Sequence, residues 1–249
     1  MARSDFRTPR LYIDAVLGPG AAVPIDKAQT HYLLNVLRLR DGDAVLLFNT
    51  RDGEWRAAIT AGKRSATLAI VEQTRPQTPA ADLHYLFAPL KHARLDYMVQ
   101  KAVEMGVSRL APVTTRHTQA ARVNLERMRA NAIEAAEQCG ILTLPEIAEP
   151  ESLERALAAR DPDRLLVFCD EEAEVQDPVA ALAAQRQGLP TMPLAVLVGP
   201  EGGFAEDERA ALLRQPNVVR IALGPRILRA DTAAVAALTL VQAVLGDWK

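Results

Sequence analysis

No apolar run among the 249 residues approaches the ~20 needed to carry a helix across a bilayer. The first residues, Met1–Arg7, lack the apolar core of a signal peptide, so no leader is expected. Cysteine is nearly absent: Cys139 and Cys169 stand thirty residues apart with no Cys-x-x-Cys spacing. That excludes a disulfide framework and predicts free thiols in a reducing cytoplasm. Histidine is scarce too, and His31, His84, His92 and His117 form no metal-ligand pair, so no zinc site is expected. Phosphate-loop patterns are missing: there is no Gly-x-x-x-x-Gly-Lys-Ser/Thr, and no Gly-x-Gly-x-x-Gly opening a helix after an early strand. What remains is an ordinary globular balance, 49% apolar and 24% charged, with chain enough for one large domain or two small ones.

The net charge of −2 averages over a sharp split. Residues 84–130 hold eight Lys/Arg against three Asp/Glu, while residues 131–190 hold four against thirteen. Residues 1–73 are mildly basic, with ten against eight. Asymmetry of this kind bears on partners even where the total does not.

Residues 1–73 read as a small β-barrel-like module. Strands are expected at Arg10–Ile13, Ala44–Asn49, Glu54–Ile59 and Ser65–Val71, with turn chemistry at Asp41–Asp43, Arg51–Gly53 and Ala61–Lys63. Asp52-Gly53 is a hairpin signal, and Lys27–Leu39 has helical spacing. The Pro-containing tract Gln73–Ala80 disfavours both helix and central strand, so 74–80 is read as a linker. Residues 81–249 then alternate strand and helix, which argues for an α/β domain with a mostly parallel sheet. Strands are expected at Leu83–Ala88, Arg109–Val113, Leu165–Cys169, Leu194–Val198 and Val218–Leu223. Helices are expected at Arg94–Met105, Asn124–Gln138, Glu151–Ala159, Val179–Gln187 and Asp231–Leu245, the last with Val235, Leu238 and Leu245 inward.

Two strand-to-glycine loops carry the chemistry. The run Leu194–Val198 ends in Gly199-Pro200-Glu201-Gly202-Gly203-Phe204, and Val218–Leu223 ends in Gly224-Pro225-Arg226-Ile227-Leu228-Arg229. Glycine lets a ligand approach the main chain and tolerates φ > 0, so the two loops are expected to wall one pocket. Pro200, Glu201 and Phe204 suit a neutral or cationic ligand better than a phosphate. Glu206-Asp207-Glu208 would lie in the first turn of a helix, complementing its dipole. Asp231 or Thr232 is placed to cap the last helix. Of the two arginines, Arg229 is read as meeting RNA phosphate or base and Arg226 as a structural partner.

These loops, with Leu223–Ala233 following Gly199–Phe204, resemble the signature of the RsmE family. Those are bacterial 16S rRNA uracil-N3 methyltransferases of the SPOUT superfamily. His31–Asp43, Asp96–Val107 and Ala132–Gly140 resemble further family segments, in order, over nearly the whole chain. One departure is Asp231, where the family more often has Glu; the carboxylate is kept but one methylene shorter.

The resemblance implies a PUA-like RNA-binding barrel over 1–73 and a SPOUT domain over 81–249 with a C-terminal trefoil knot, which general topology rules would not anticipate. It implies S-adenosylmethionine bound in a bent form, and no metal. Its expected contacts are Leu197, Val198, Gly199, Glu201, Gly202 and Gly203 from one side. From the other come Ile221, Leu223, Gly224, Ile227, Leu228, Thr232 and Ala233. It implies a cytoplasmic homodimer acting on 16S rRNA near the decoding site, on the small ribosomal subunit. Uracil N3 must lose its proton before it attacks, so a base or a cation beside the carbonyl oxygens is required. Arg229 is assigned that electrostatic part, with Glu201 and Asp231 the carboxylates available for the proton. RNA phosphates would meet Arg38, Arg40, Lys91, Arg94, Arg116 and Arg122. Other readings are a SPOUT enzyme acting on a ribose 2′-OH or a tRNA base, a non-catalytic RNA-binding assembly factor, and an enzyme of small molecules.

Overall fold

The computed structural model describes residues 5, 7–62, 65–91, 93–120, 122–174, 177–186 and 192–248. Lys63, His92, Gln187 and most of Met1–Arg7, all named above, lie outside the described residues. Two compact units are present: residues 1–79 with 136–144, and residues 80–135 with 145–249.

In the first unit, β1 (Arg10–Tyr12), β2 (Ala22–Pro24), β3 (Ala44–Phe48), β4 (Glu54–Ala61) and β5 (Ala66–Arg75) form one sheet in the order β1-β3-β4-β5-β2. Period-two alternation sends Trp55, Ala57 and Ile59 of β4, and Ala66, Leu68 and Ile70 of β5, into a core with Leu11, Val45 and Leu47. The β3–β4 hairpin turns at Gly53, whose φ of 80° explains the glycine. Helix α1 (Lys27–His31) starts on an Asp26/Gln29 capping box. It is shorter than the expected Lys27–Leu39: a single π-helical turn, Tyr32–Val36, follows, and Arg38 at φ 58° ends the run.

The expected linker is also corrected. Strand β5 runs on to Arg75, because Glu54 at the head of β4 is 2% exposed and must be satisfied. Its carboxylate accepts from Arg10 Nε (2.9 Å), Thr74 Oγ1 (2.8 Å) and Arg75 Nε (3.0 Å). Only beyond Arg75, at Pro76, does the irregular stretch begin.

The later elements are β6 (Leu83–Phe87), α2 (Ala93–Glu104), β7 (Arg109–Thr114), α3 (Leu125–Cys139), β8 (Glu146–Ile147), β9 (Glu151–Ser152) and α4 (Leu153–Ala159). They continue with β10 (Leu165–Cys169), α5 (Pro178–Ala183), β11 (Leu194–Val198), α6 (Glu206–Leu213), β12 (Val218–Ile221) and α7 (Ala230–Val244). The strands form a parallel sheet ordered β12-β10-β11-β6-β7-β8, with β9 paired to β7. Each of the five β11 residues is buried, as a strand covered on both faces requires.

Two helical expectations need correcting. Helix α7 buries Ala233, Ala234, Ala237, Leu238 and Val241, and Leu245 just past its end is buried too, as expected, but Val235 is only half-buried, so alanines supply most of the inward face. The alanines permit close approach to α2, and the buried Gln242 side chain donates to Met105 O at 2.6 Å, satisfying the end of α2. Neither Asp231 nor Thr232 caps α7: the helix begins at Ala230, Arg229 is the cap position, and no side chain caps it. Asp231 instead accepts from the Thr232 N–H at 3.0 Å.

Candidate active site

The sheet order brings three strand ends together. Parallel register sets Cys169 of β10 beside Val198 of β11 and Ile221 of β12. The β11–α6–β12 crossover passes over β10, and ligands of open α/β sheets bind beyond strand carboxyl ends where strand order is interrupted in this way. A cavity of about 240 Å³ lies there. It is walled by Val198–Glu201, Gly203 and Phe204 of the first loop, Leu223–Leu228 of the second, Ala230 and Ala233 of α7, and Cys169–Glu171 and Arg209.

The glycines have separable reasons. A Cβ on Gly199 would sit 2.8 Å from Phe204 Cζ and 3.0 Å from its Cδ2. That ring is buried and packs edge-on against Phe168, centroids 5.1 Å apart. Gly199 therefore makes room for an aromatic of the protein, where the sequence suggested a ligand. Gly203 has φ 67°, and a Cβ there would meet Glu171 Oε1 at 2.9 Å. Gly224 has φ 98° and open space around it, so backbone conformation is its reason.

Acidic groups line the wall left by β10. Asp170, 3% exposed, is balanced by Arg220 Nε at 2.7 Å and by Arg209, whose Nε lies 3.2 Å away at an angle unsuited to a hydrogen bond. Glu171 is exposed to the cavity and has no cationic partner among the described residues. Desolvation and the adjacent Asp170 push the Cys169 thiol up to about 12, which removes it as a nucleophile at neutral pH. A pocket with aliphatic walls that is edged by Glu171 and Arg226, both unpaired among the described residues, suits a ligand with an apolar body that carries charge of both signs.

Of the residues expected to hold the cofactor, Val198, Gly199, Glu201, Gly203, Leu223, Gly224, Ile227, Leu228 and Ala233 line this cavity. Leu197, Gly202, Ile221 and Thr232 lie outside its lining. Arg229 is exposed at the start of α7, flanked by the lining residues Leu228 and Ala230, and has no acidic partner among the described residues. Asp231 also lies off the wall. Arg226, expected as a structural partner, carries no ion pair among the described residues and lines the cavity instead. Between the two arginines Ile227 is 85% exposed.

The expected RNA cations divide. Glu201 pairs with Arg94, and Arg116 pairs with Asp207 at 2.6 Å while its N–H donates to Glu208. Lys91 and Arg122 are exposed with no acidic partner among the described residues, as is Arg38 in the first unit. Arg40 is exposed there too, its guanidinium without an ion pair among the described residues while its N–H donates to Asp43 at 2.7 Å. His117 was overlooked at the sequence level because it belongs to neither loop. Its Nδ1 lies 2.9 Å from Gly202 O, so Nδ1–H donates to the glycine loop. The β10 end and Arg209 were overlooked as well, although an acidic run directly after a buried strand, Asp170-Glu171-Glu172, was a usable signal.

The chain matches the RNA methyltransferase domain family over residues 76–242 and the RNA methyltransferase PUA domain over residues 25–71. It is 31% identical to ribosomal RNA small subunit methyltransferase E of Rickettsia conorii over 94% of each chain. A crystal structure of the corresponding enzyme from Neisseria gonorrhoeae, bound to S-adenosyl methionine, superposes with a TM-score of 0.86 at 26% identity, covering 98% of this chain and all of that one. A Legionella pneumophila protein solved with the cofactor SAM superposes with a TM-score of 0.83 at 27% identity, covering 97% of this chain and 99% of that one. An α/β domain with a parallel sheet follows a PUA-like segment here as in those relatives, and the chain belongs to the RsmE family of ribosomal RNA small subunit methyltransferases.

Proposed function

We propose that this protein methylates N3 of a uridine near the decoding site of 16S rRNA, on the small ribosomal subunit, using S-adenosylmethionine. The observation that carries the reading is the cavity closed by both glycine loops at the ends of β10, β11 and β12. Its lining fits the cofactor: Val198, Leu223, Ile227, Leu228 and Ala233 offer apolar contact, and Glu171 offers a carboxylate to a cationic group. When bound, S-adenosylmethionine supplies a methyl on a sulfonium, so the leaving group is a neutral thioether.

The protein's own part is to align the acceptor and favour its anion. Uracil N3–H must give its proton to a carboxylate or to water before N3 attacks the methyl carbon. Holding the two reactants in line supplies a large share of the acceleration. Arg229 remains our assignment for a cation that meets the RNA strand or the base carbonyls, because it is exposed beside the cavity and unpaired among the described residues. Glu201 is less free than the sequence suggested, since Arg94 holds it. Arg38, Arg40, Lys91 and Arg122 keep unpaired charges for the RNA. A homodimer, the trefoil knot and cytoplasmic action belong to this reading through the family resemblance.

Nucleoside mass spectrometry of small subunits incubated with the protein and S-adenosylmethionine tests it. N3-methyluridine is the expected product, and 2′-O-methyl nucleosides or no product would refute the assignment. Arg229→Ala should lower the rate by about 10²-fold, the order seen when one donor to a developing anion is removed. A wild-type rate would remove Arg229 from the mechanism.

A further inference from the structure

The eight cations of residues 84–130 are unequal in the fold. Arg94, Lys101, Arg109, Arg116 and Arg127 are tied to Glu201, Glu104, Glu146, Asp207 and Asp96 respectively. Lys91, Arg122 and Arg129 keep no acidic partner among the described residues. Lys91 lines a cavity that shares residues with the one already described, and both Lys91 and Arg122 line a third beyond it.

The second cavity, of about 320 Å³, is lined by Lys91, Arg94 and Gln119 together with Pro200 and Glu201. Pro200 and Glu201 also wall the first cavity, so the two spaces share a boundary made by the glycine loop. A third, of about 670 Å³, shares Leu90, Lys91 and Ala120 with the second and runs on to Arg122, Asn124 and Arg127. The shared residues order the three spaces as a series, with the second between the third and the methyl donor's proposed pocket. The free charges of the second and third are positive, at Lys91 and Arg122, while their acids, Glu201 and Asp96, are already neutralised by Arg94 and Arg127.

We infer that the second cavity receives the acceptor base, a pyrimidine turned out of its stack, and that the third takes neighbouring nucleotides of the same single strand. This rests on the proposed methyl transfer to uracil. A transferred methyl must cross from donor to acceptor at contact distance, so the acceptor pocket has to open against the donor pocket, and the second cavity neighbours the first at Pro200 and Glu201. Lys91 then faces a base carbonyl with its ammonium uncommitted, where negative charge develops as N3 loses its proton. Gln119 presents both a donor and an acceptor, which is what the edge of uracil requires. The Arg94–Glu201 pair fixes the shared wall and is a positioning element. Arg229, on the far loop, then meets the base or its strand from the other side, and extrusion of the target base is what lets Lys91 reach it.

Two measurements decide it. Small subunits carrying 4-thiouridine at the methylated position should photo-crosslink to the segments around Lys91 and Gln119. Crosslinks confined to Gly224–Arg229 would overturn the assignment. In kinetics on assembled subunits, Lys91→Ala should reduce kcat/KM by about 10²-fold, with S-adenosylmethionine affinity by calorimetry as in the wild type, and Lys91→Arg should recover much of the loss. Wild-type kcat/KM in Lys91→Ala would refute the inference, as would a parallel loss of cofactor affinity. Should the wild type methylate a different atom, the uracil-N3 reading fails, and the pocket still stands or falls on the Lys91→Ala ratio for that product.

Discussion

Replacing Gly199 by alanine tests whether the glycine loop is shaped by a ligand or by the protein's own packing. The new methyl would meet the Phe204 ring at 2.8–3.0 Å from Cζ and Cδ2, and closer still to Cε2. A ring is rigid, and this one is buried against Phe168 within the cluster that also holds Leu166, Leu197 and Leu212. It cannot yield as the end of a lysine would. Overpacking of that kind costs about 1–3 kcal/mol, and in a chain of this size each kcal/mol lowers Tm by about 2–4 °C. Because Val198 and Gly199 also line the cavity, displacement of the loop should weaken S-adenosylmethionine binding as well. Thermal melts and calorimetry on Gly199→Ala, Phe204→Leu and the double variant give the answer. Each single change should destabilise, and the double should be better than their sum, since the smaller side chain removes the clash. Gly199→Ala with wild-type Tm and wild-type cofactor affinity would refute the packing argument, and strictly additive effects would refute its attribution to Phe204.

Glu54→Gln should destabilise the first unit by about 3–5 kcal/mol, because Arg10 and Arg75 lose the buried carboxylate that compensates them; urea denaturation measures it, and a change near zero would refute it. Acid should destabilise the wild type through two groups. Burial raises the Glu54 carboxyl, but hydrogen bonds from Arg75, Arg10 and Thr74 outweigh it and leave it below its usual value of 4.5, so its contribution is lost as pH falls beneath that range. Burial and Arg164 push His84 down to about 4, so between pH 6.5 and about 4 the unfolded chain takes up a proton that the folded chain refuses. The urea midpoint should therefore fall as pH drops from 7 to 4 through His84, and fall further below 4.5 through Glu54; a flat profile in the first window would count against the His84 assignment, and one in the second against that of Glu54. With a thiol at about 12, Cys169 should be alkylated at pH 8 far more slowly than exposed Cys139, its thiolate fraction being roughly a thousandfold or more below that of an ordinary cysteine. Equal labelling rates by mass spectrometry would contradict this.

Local pattern determined much of this protein before any contact was known. The apolar face of α2, Leu95, Met98, Val99, Ala102 and Val103, is buried as its 3.6-residue spacing predicts. The runs that became β10 and β11 are buried strands because nothing polar interrupts them. Gly53, Gly203 and Gly224 occupy positive-φ positions that glycine favours, and the order of motifs along the chain marked the family. Tertiary structure decided what depends on distant partners. Sheet order set the end of β10 between the two glycine loops, giving the cavity its acidic wall of Asp170 and Glu171. Long-range pairing separated the neutralised Arg94 and Arg116 from the free Lys91 and Arg122, which carry like charge and look alike in sequence. The buried carboxylate of Glu54 carried β5 to Arg75, into residues whose composition reads as a linker. Gly199 is a glycine because Phe204, five residues on, folds back onto it. Spacing and composition are local properties, whereas the charge left on a side chain, or the room left beside a backbone atom, depends on which residues the fold brings against it.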